Sequence, residues 1–255
     1  NSPLVETTPF VFKGRLYLLE NWRKMWDYPI ELDNYPKNLK TKYLEADLAR
    51  IRDVELDKIV STPLVGYGFC SAFVDNNKVY ILGSKFNDNK IWNSKQLCLT
   101  CSEDLLLWSH PRCILEANPD ESFFNTNVCK SLDDNSYILL VETDDPKWVK
   151  FTFRFFKSDD MFNWQAIDDG IYGKDKYVGG PAIYNTGGYY YVCYLDETDG
   201  GWVTRLTRSK DLIQWEDAPE NKPLIAFNRE NRCYKLRGGR SEDTRLNSSH
   251  VAISY

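Results

Sequence analysis

Ser102-Glu103-Asp104-Leu105-Leu106-Leu107-Trp108, Ser158-Asp159-Asp160-Met161-Phe162-Asn163-Trp164 and Ser209-Lys210-Asp211-Leu212-Ile213-Gln214-Trp215 are three copies of one phrase, S-x-D-[L/M]-x-x-W. Their tryptophans stand 56 and 51 residues apart. A period of about 40–55 residues between strand-like flanks is the spacing of a β-propeller, one four-stranded blade per repeat. The phrase reads as structural. Ser and Asp side chains accept hydrogen bonds from backbone N–H groups one or two residues on, which fixes a tight turn. The Leu or Met then plugs that turn into the core, and the Trp packs across to the neighbouring blade. On this reading the phrase builds blades and carries no chemistry.

Outward from each phrase the same grammar recurs. A strand, a polar turn and an aromatic-rich strand precede it: Phe69–Val74, Asp75–Lys78 and Val79–Leu82 in one repeat. Asn125–Cys129, Asp133–Asn135 and Tyr137–Val141 form the next, and Pro181–Tyr184, Asn185–Gly188 and Tyr189–Tyr194 the last. Asn, Asp and Gly tolerate left-handed backbone angles, so the middle segments are hairpin turns. β-branched and aromatic residues on either side favour strands. A third strand leads into each phrase (Leu97–Thr100, Phe151–Phe155, Trp202–Leu206), and a fourth begins at or after the Trp.

A degenerate copy precedes these three, with Gly14–Glu20, Arg50–Glu55 and Ile59–Ser61 as strands. Residues 21–45 between them read as a long insertion over one end of the fold. The predicted blades are 9–65, 66–118, 119–175 and 176–227, one propeller domain over 1–240. Thr244–His250 resembles a translated sequencing adapter, so residues 241–255 are expected to be a non-native tail. The expected class is all-β, a five-bladed propeller with about four blades present and the fifth missing or incomplete.

Composition limits the chemistry. At 42% hydrophobic and 15% aromatic, the chain can bury a sizeable core at 255 residues. No apolar run approaches the roughly 18 residues of a membrane span, so no membrane partner is expected. The net charge is −5 and the basic residues are scattered, which argues against a nucleic-acid partner. Cys70, Cys98, Cys129 and Cys193 fall at strand positions and read as reduced core thiols, which points to a reducing compartment. Cys98 and Cys101 form a lone C-x-x-C with no second ligand pair, so no metal is predicted. Nor is any cofactor, since no Gly-rich phosphate loop occurs. Of two histidines, His250 lies in the suspected tail and His110 at a blade edge, so mechanisms that need an imidazole beside a nucleophile are not supported.

Carboxylates remain. Glu20, Glu142 and Asp196 each end the apolar second strand of a blade, where pattern alone does not call for a polar side chain. That end is expected to face the central funnel. Two carboxylates across a funnel are the machinery of glycoside hydrolysis, one protonating the leaving oxygen and the other activating water or attacking the sugar. Burial would keep the acid protonated. The bland alternative is that these acids cap strands or pair with Arg52, Arg154 or Arg205. In the remaining repeat, Gly83-Ser84 stands in place of an acid and would leave room for a ligand.

Gly179-Gly180-Pro181-Ala182-Ile183, Gly188-Tyr189-Tyr190-Tyr191, Arg208-Ser209-Lys210-Asp211-Leu212 and Trp215 together resemble the blade grammar of five-bladed glycoside hydrolases, glycoside hydrolase family 43 (arabinanases and xylosidases) and its relatives. The resemblance implies a glycosidase acting on an oligo- or polysaccharide. In that family two Asp and one Glu lie at the starts of innermost strands. Here Gly179 holds the place of the Glu before Gly-Pro, and the other starts offer Ser71, Asn125 and Asn127. The family's triad therefore does not carry over, and the catalytic candidates stay Glu142, then Asp196, then Glu20. Asn125 and Asn127 are candidates for binding sugar hydroxyls, Tyr67, Tyr177 and Trp148 for stacking on sugar faces, and Arg205 is a further substrate-binding candidate. A carbohydrate-binding or interaction propeller without chemistry, or a pure scaffold, is the competing reading.

Overall fold

The computed structural model describes residues 4–22, 48–87, 90–149, 151–198 and 201–226. The expected insertion and tail lie largely or wholly outside them. The described chain is all-β. Sixteen strands form four antiparallel four-stranded sheets, in each of which every strand pairs with its sequence neighbour. The first sheet holds β1 (Leu4–Phe12), β2 (Arg15–Trp22), β3 (Leu48–Asp53) and β4 (Lys58–Val65). The second holds β5 (Tyr67–Asp75), β6 (Lys78–Asn87), β7 (Lys90–Ser102) and β8 (Arg112–Glu116). The third holds β9 (Phe123–Lys130), β10 (Tyr137–Thr143), β11 (Thr152–Ser158) and β12 (Gln165–Tyr172). The fourth holds β13 (Gly179–Thr186), β14 (Tyr189–Thr198), β15 (Gly201–Ser209) and β16 (Trp215–Asp217). Four sheets of this make, repeated along the chain, are the blades of a β-propeller.

The chain divides into two compact units, Asn1–Thr126 with Phe162–Trp164 and Asn127–Met161 with Gln165–Tyr255. In the first, sheet one presents Phe10, Phe12, Tyr17, Leu19, Ile51 and Leu64 to Cys70, Val79, Ile81 and Leu105 of sheet two. In the second, Ile138, Leu140, Phe153, Phe155 and Tyr172 of sheet three pack on Ile183, Tyr190, Val192 and Tyr194 of sheet four. Alternate residues of a strand face opposite sides. These contacts therefore fix which way every side chain on β2, β10 and β14 points.

The repeated phrase closes the turn after each third strand, as the sequence reading expects. Ser209 Oγ accepts from the N–H of Asp211 (3.2 Å) and of Leu212 (2.8 Å). Asp211 Oδ1 accepts from Ile213 N (2.9 Å) and Gln214 N (2.8 Å). Ser102 and Asp104 repeat the set. The N–H donors of Leu107 and Leu106 hold the Asp104 carboxyl below its usual range, and those of Gln214 and Ile213 do the same for Asp211. These bonds hold a strained residue. Leu105, Met161 and Leu212 all sit at left-handed φ (66°, 70° and 64°) with side chains almost wholly buried. An L-residue pays for that backbone only where its surroundings enforce it. Ser209→Ala removes the acceptor for two N–H groups and is expected to cost about 1–2 kcal/mol, read as a lower urea midpoint at constant slope.

Two of the phrase tryptophans reach the preceding sheet. Trp108 Nε1 donates to Ser61 Oγ of β4 (3.2 Å), and the Trp215 ring stacks on Phe155 of β11 at 5.1 Å.

Candidate functional site

The first strands of three sheets are broken by the same irregularity. Pairing slips between Val5 and Thr8, between Gly68 and Ser71, and between Gly179 and Ala182. Inside each slip one residue takes left-handed φ: Glu6 (55°), Phe69 (53°) and Gly180 (55°). These are β-bulges, which re-aim backbone N–H groups out of the ladder. Asn21, Ser84 and Leu195 stand opposite the residue just before the bulge (Val5, Gly68 and Gly179). Counting from the residue paired with each phrase serine, Glu142 holds the same register position as Ser84 and Leu195.

Three of the four side chains at this position, all polar, clasp the next first strand. Asn21 Oδ1 accepts from Cys70 N (2.8 Å) while its Nδ2 donates to Cys70 O (2.9 Å). Ser84 Oγ donates to Phe124 O (2.8 Å). Glu142, wholly buried, accepts at Oε2 from Gly180 N (2.8 Å). Pro181, next in the chain, has no N–H to offer, and the left-handed Gly180 supplies the donor instead.

The three acids proposed from sequence therefore do not stand at matching positions. Glu20 lies one residue before this position and Asp196 one residue after it. Apolar runs end at different heights on these strands, so they do not mark this position. Strand parity then separates the acids. Glu142 shares a face with Ile138 and Leu140, toward sheet four, and Asp196 shares a face with Tyr190, Val192 and Tyr194, toward sheet three. Glu142 is bonded to the Gly179–Gly180 bulge, and Asp196 follows Leu195, the partner of Gly179. Glu20 lies on the face of β2 opposite Tyr17 and Leu19. There it is buried and held by Arg50 Nε and Arg52 Nε, each at 2.6 Å.

Around the bulge, Arg205 Nε donates to Asp196 Oδ2 at 2.9 Å. The Tyr177 ring lies against Gly179, so closely that a Cβ there would fall 2.8 Å from its hydroxyl. Trp202 packs edge-on to Tyr177 at 5.1 Å, and Phe151 at 5.7 Å. Trp202, half-buried, joins the candidates only through this contact; in sequence it read as the start of a strand. Trp148 is half-buried in the turn after β10, with Lys174 Nζ 5.2 Å from its ring.

The remaining candidates are placed differently. Asn127 Oδ1 accepts from Ile183 N (3.0 Å), tying β9 to β13, and Asn125 is buried in β9. Tyr67 lies beside Gly83, where an added Cβ would meet Cys70 Sγ at 2.7 Å and Tyr67 Cβ at 3.3 Å. The room that Gly83-Ser84 was expected to leave for a ligand is thus filled by the protein. Burial, then the neighbouring Cys98, pushes the Tyr67 hydroxyl well above its ordinary range. Two acids went unnoticed in the sequence. Glu6 is the bulge residue of β1, which begins at Leu4, ahead of the expected start of the first blade. Glu121 is buried just before β9, accepting from Asn118 Nδ2 at 2.9 Å. Among the described residues no cluster of three or more His, Cys, Asp or Glu could hold a metal ion.

No family model matches this sequence, and no curated protein does. Solved structures do. A family-32 β-fructofuranosidase from Bombyx mori aligns over 85% of this chain and 49% of its own, with 15% identity and a TM-score of 0.59. A thermostable family-43 glycoside hydrolase aligns over 90% and 76%, with 11% identity and a TM-score of 0.62. An exo-β-1,3-galactanase from Phanerochaete chrysosporium, in complex with β-1,3-galactotriose, aligns over 84% and 49%, with 8% identity and a TM-score of 0.57. The fold is the β-propeller of these glycoside hydrolases. The chain spans about half the length of the β-fructofuranosidase and of the galactanase.

Proposed function

We propose that this chain is the propeller of a glycoside hydrolase, with Glu142 and Asp196 as its carboxylate pair. The observation that carries this reading is their placement: on facing surfaces of adjacent sheets in one unit, Glu142 is bonded to Gly180 N and Asp196 follows Leu195, the partner of Gly179. Glu142, desolvated, is suited to the general acid, and Asp196, partly open and beside Arg205, to the base or nucleophile. Tyr177 and Trp202 offer edges and faces to a pyranose ring. The structural likeness to family-32 and family-43 hydrolases supports a carbohydrate substrate. Asn127, engaged with Ile183, would serve by positioning β13 rather than by binding sugar.

One observation favours a second reading, a carbohydrate-binding propeller without chemistry. Asp196 and Glu20 are both ion-paired to arginine. The two readings part in one assay. The protein is offered a panel of aryl glycosides and oligosaccharides, with reducing-sugar release and binding measured side by side. Release above the blank supports hydrolysis. Saturable binding with no release on any member removes the catalytic assignment and leaves the binding module.

A further inference from the structure

Cys98 of β7 and Cys113 of β8 stand directly opposite one another in the antiparallel ladder of the second sheet. Opposed residues in such ladders have Cα atoms about 4.5–5.5 Å apart. That falls inside the roughly 4.4–6.8 Å over which a disulfide closes. Both thiols are free. They differ in access: Cys98 is buried and Cys113 is exposed, its Sγ 3.3 Å from Leu115 O. The C-x-x-C spacing seen in the sequence is not the pair. Cys101 is three residues from Cys98 on one strand, so the two point to opposite faces.

We propose that Cys98 and Cys113 are a reversible modification site, a cross-strand disulfide formed by exchange with a small-molecule disulfide. The exposed Cys113 thiolate attacks one sulfur of the reagent, forming a mixed disulfide and releasing one thiolate. The Cys98 thiolate then attacks the Cys113 sulfur and releases the second. Two protein thiols and one disulfide become one protein disulfide and two small thiols, so the protein is oxidised and the reagent reduced. The bond ties β8, the last strand of its sheet, to β7 and closes the segment carrying the turn Ser102–Trp108. Burial, then Glu116, raises the Cys113 thiol above its ordinary range, and burial pushes Cys98 up to about 11. Exchange is therefore slow near neutrality and quickens with pH as thiolate appears.

The test is incubation of the folded protein with oxidised glutathione at pH 7, 8 and 9, followed by peptide mapping without reduction. The expected products are a mass loss of two hydrogens and a cross-linked pair of peptides carrying residues 98 and 113. The rate should rise several-fold to tenfold per pH unit. The thermal midpoint should rise by roughly 5–10 °C and fall back with dithiothreitol. Cys113→Ser should abolish the cross-link and Cys101→Ser should leave it intact. A glutathione adduct that persists on Cys113, a bond from Cys98 to any other cysteine, or no reaction at pH 9 overturns the proposal.

Discussion

Replacing Glu142 with Gln is expected to lower turnover by about 10²–10⁴-fold, the usual contribution of a positioned general acid, while moving the thermal midpoint by no more than a few degrees. The two effects separate because Glu142 has two jobs in the proposed site. Its Oε2 accepts from Gly180 N at 2.8 Å, and a Gln carbonyl oxygen of the same reach accepts that bond equally well. The amide has no proton of suitable acidity to give a leaving oxygen, so only the chemistry is lost. Glu142→Ala adds a second loss. It empties a wholly buried position and leaves the Gly180 N–H facing a gap, at a cost of about 2–4 kcal/mol. Kinetics on the most active glycoside, with thermal melts of parent, Gln and Ala forms, read both effects. An undiminished Gln variant beside a destabilised Ala variant would reduce Glu142 to a clasp of the kind Asn21 and Ser84 provide.

The blades were legible because their cause is local. Ser102, Ser158 and Ser209 each bond N–H groups two and three residues on, and that geometry is written in seven consecutive residues. Hairpin turns at Asn76-Asn77 and Gly187-Gly188 take left-handed φ for the same near-neighbour reason. The site was less legible, because it depends on registers between strands. A single bulged residue before Thr8, Ser71 or Ala182 shifts which side chain meets the next strand, and nothing in the apolar pattern marks the shift. Thus Glu20, Glu142 and Asp196 looked equivalent when counted from their apolar runs, and parity sends Glu20 to the far face. The ion pairs of Glu20 with Arg52 and of Asp196 with Arg205 were within reach of sequence, since each partner lies on the next strand in the chain. Trp202 and Tyr177 meet through turns whose reach no spacing rule gives.

Glu20→Ala is expected to cost about 3–5 kcal/mol, the penalty typical of breaking a buried ion pair from one side, and to lower the thermal midpoint by roughly 6–20 °C. Arg50 Nε and Arg52 Nε both converge on this carboxylate at 2.6 Å, and neither guanidinium is well exposed. Arg52 retains Asp57 at 2.9 Å, an exposed partner that compensates little. Arg50 lies 5.6 Å from the Trp22 ring, which does not neutralise it. The cost thus comes from charge left in a poorly solvated place more than from the attraction lost. Replacing Glu20, Arg50 and Arg52 together with apolar residues of similar volume should recover most of the stability, because no uncompensated charge remains. Urea midpoints at constant slope for the single and triple variants measure both. A single variant as stable as the parent but inactive would place Glu20 in the chemistry instead of the scaffold.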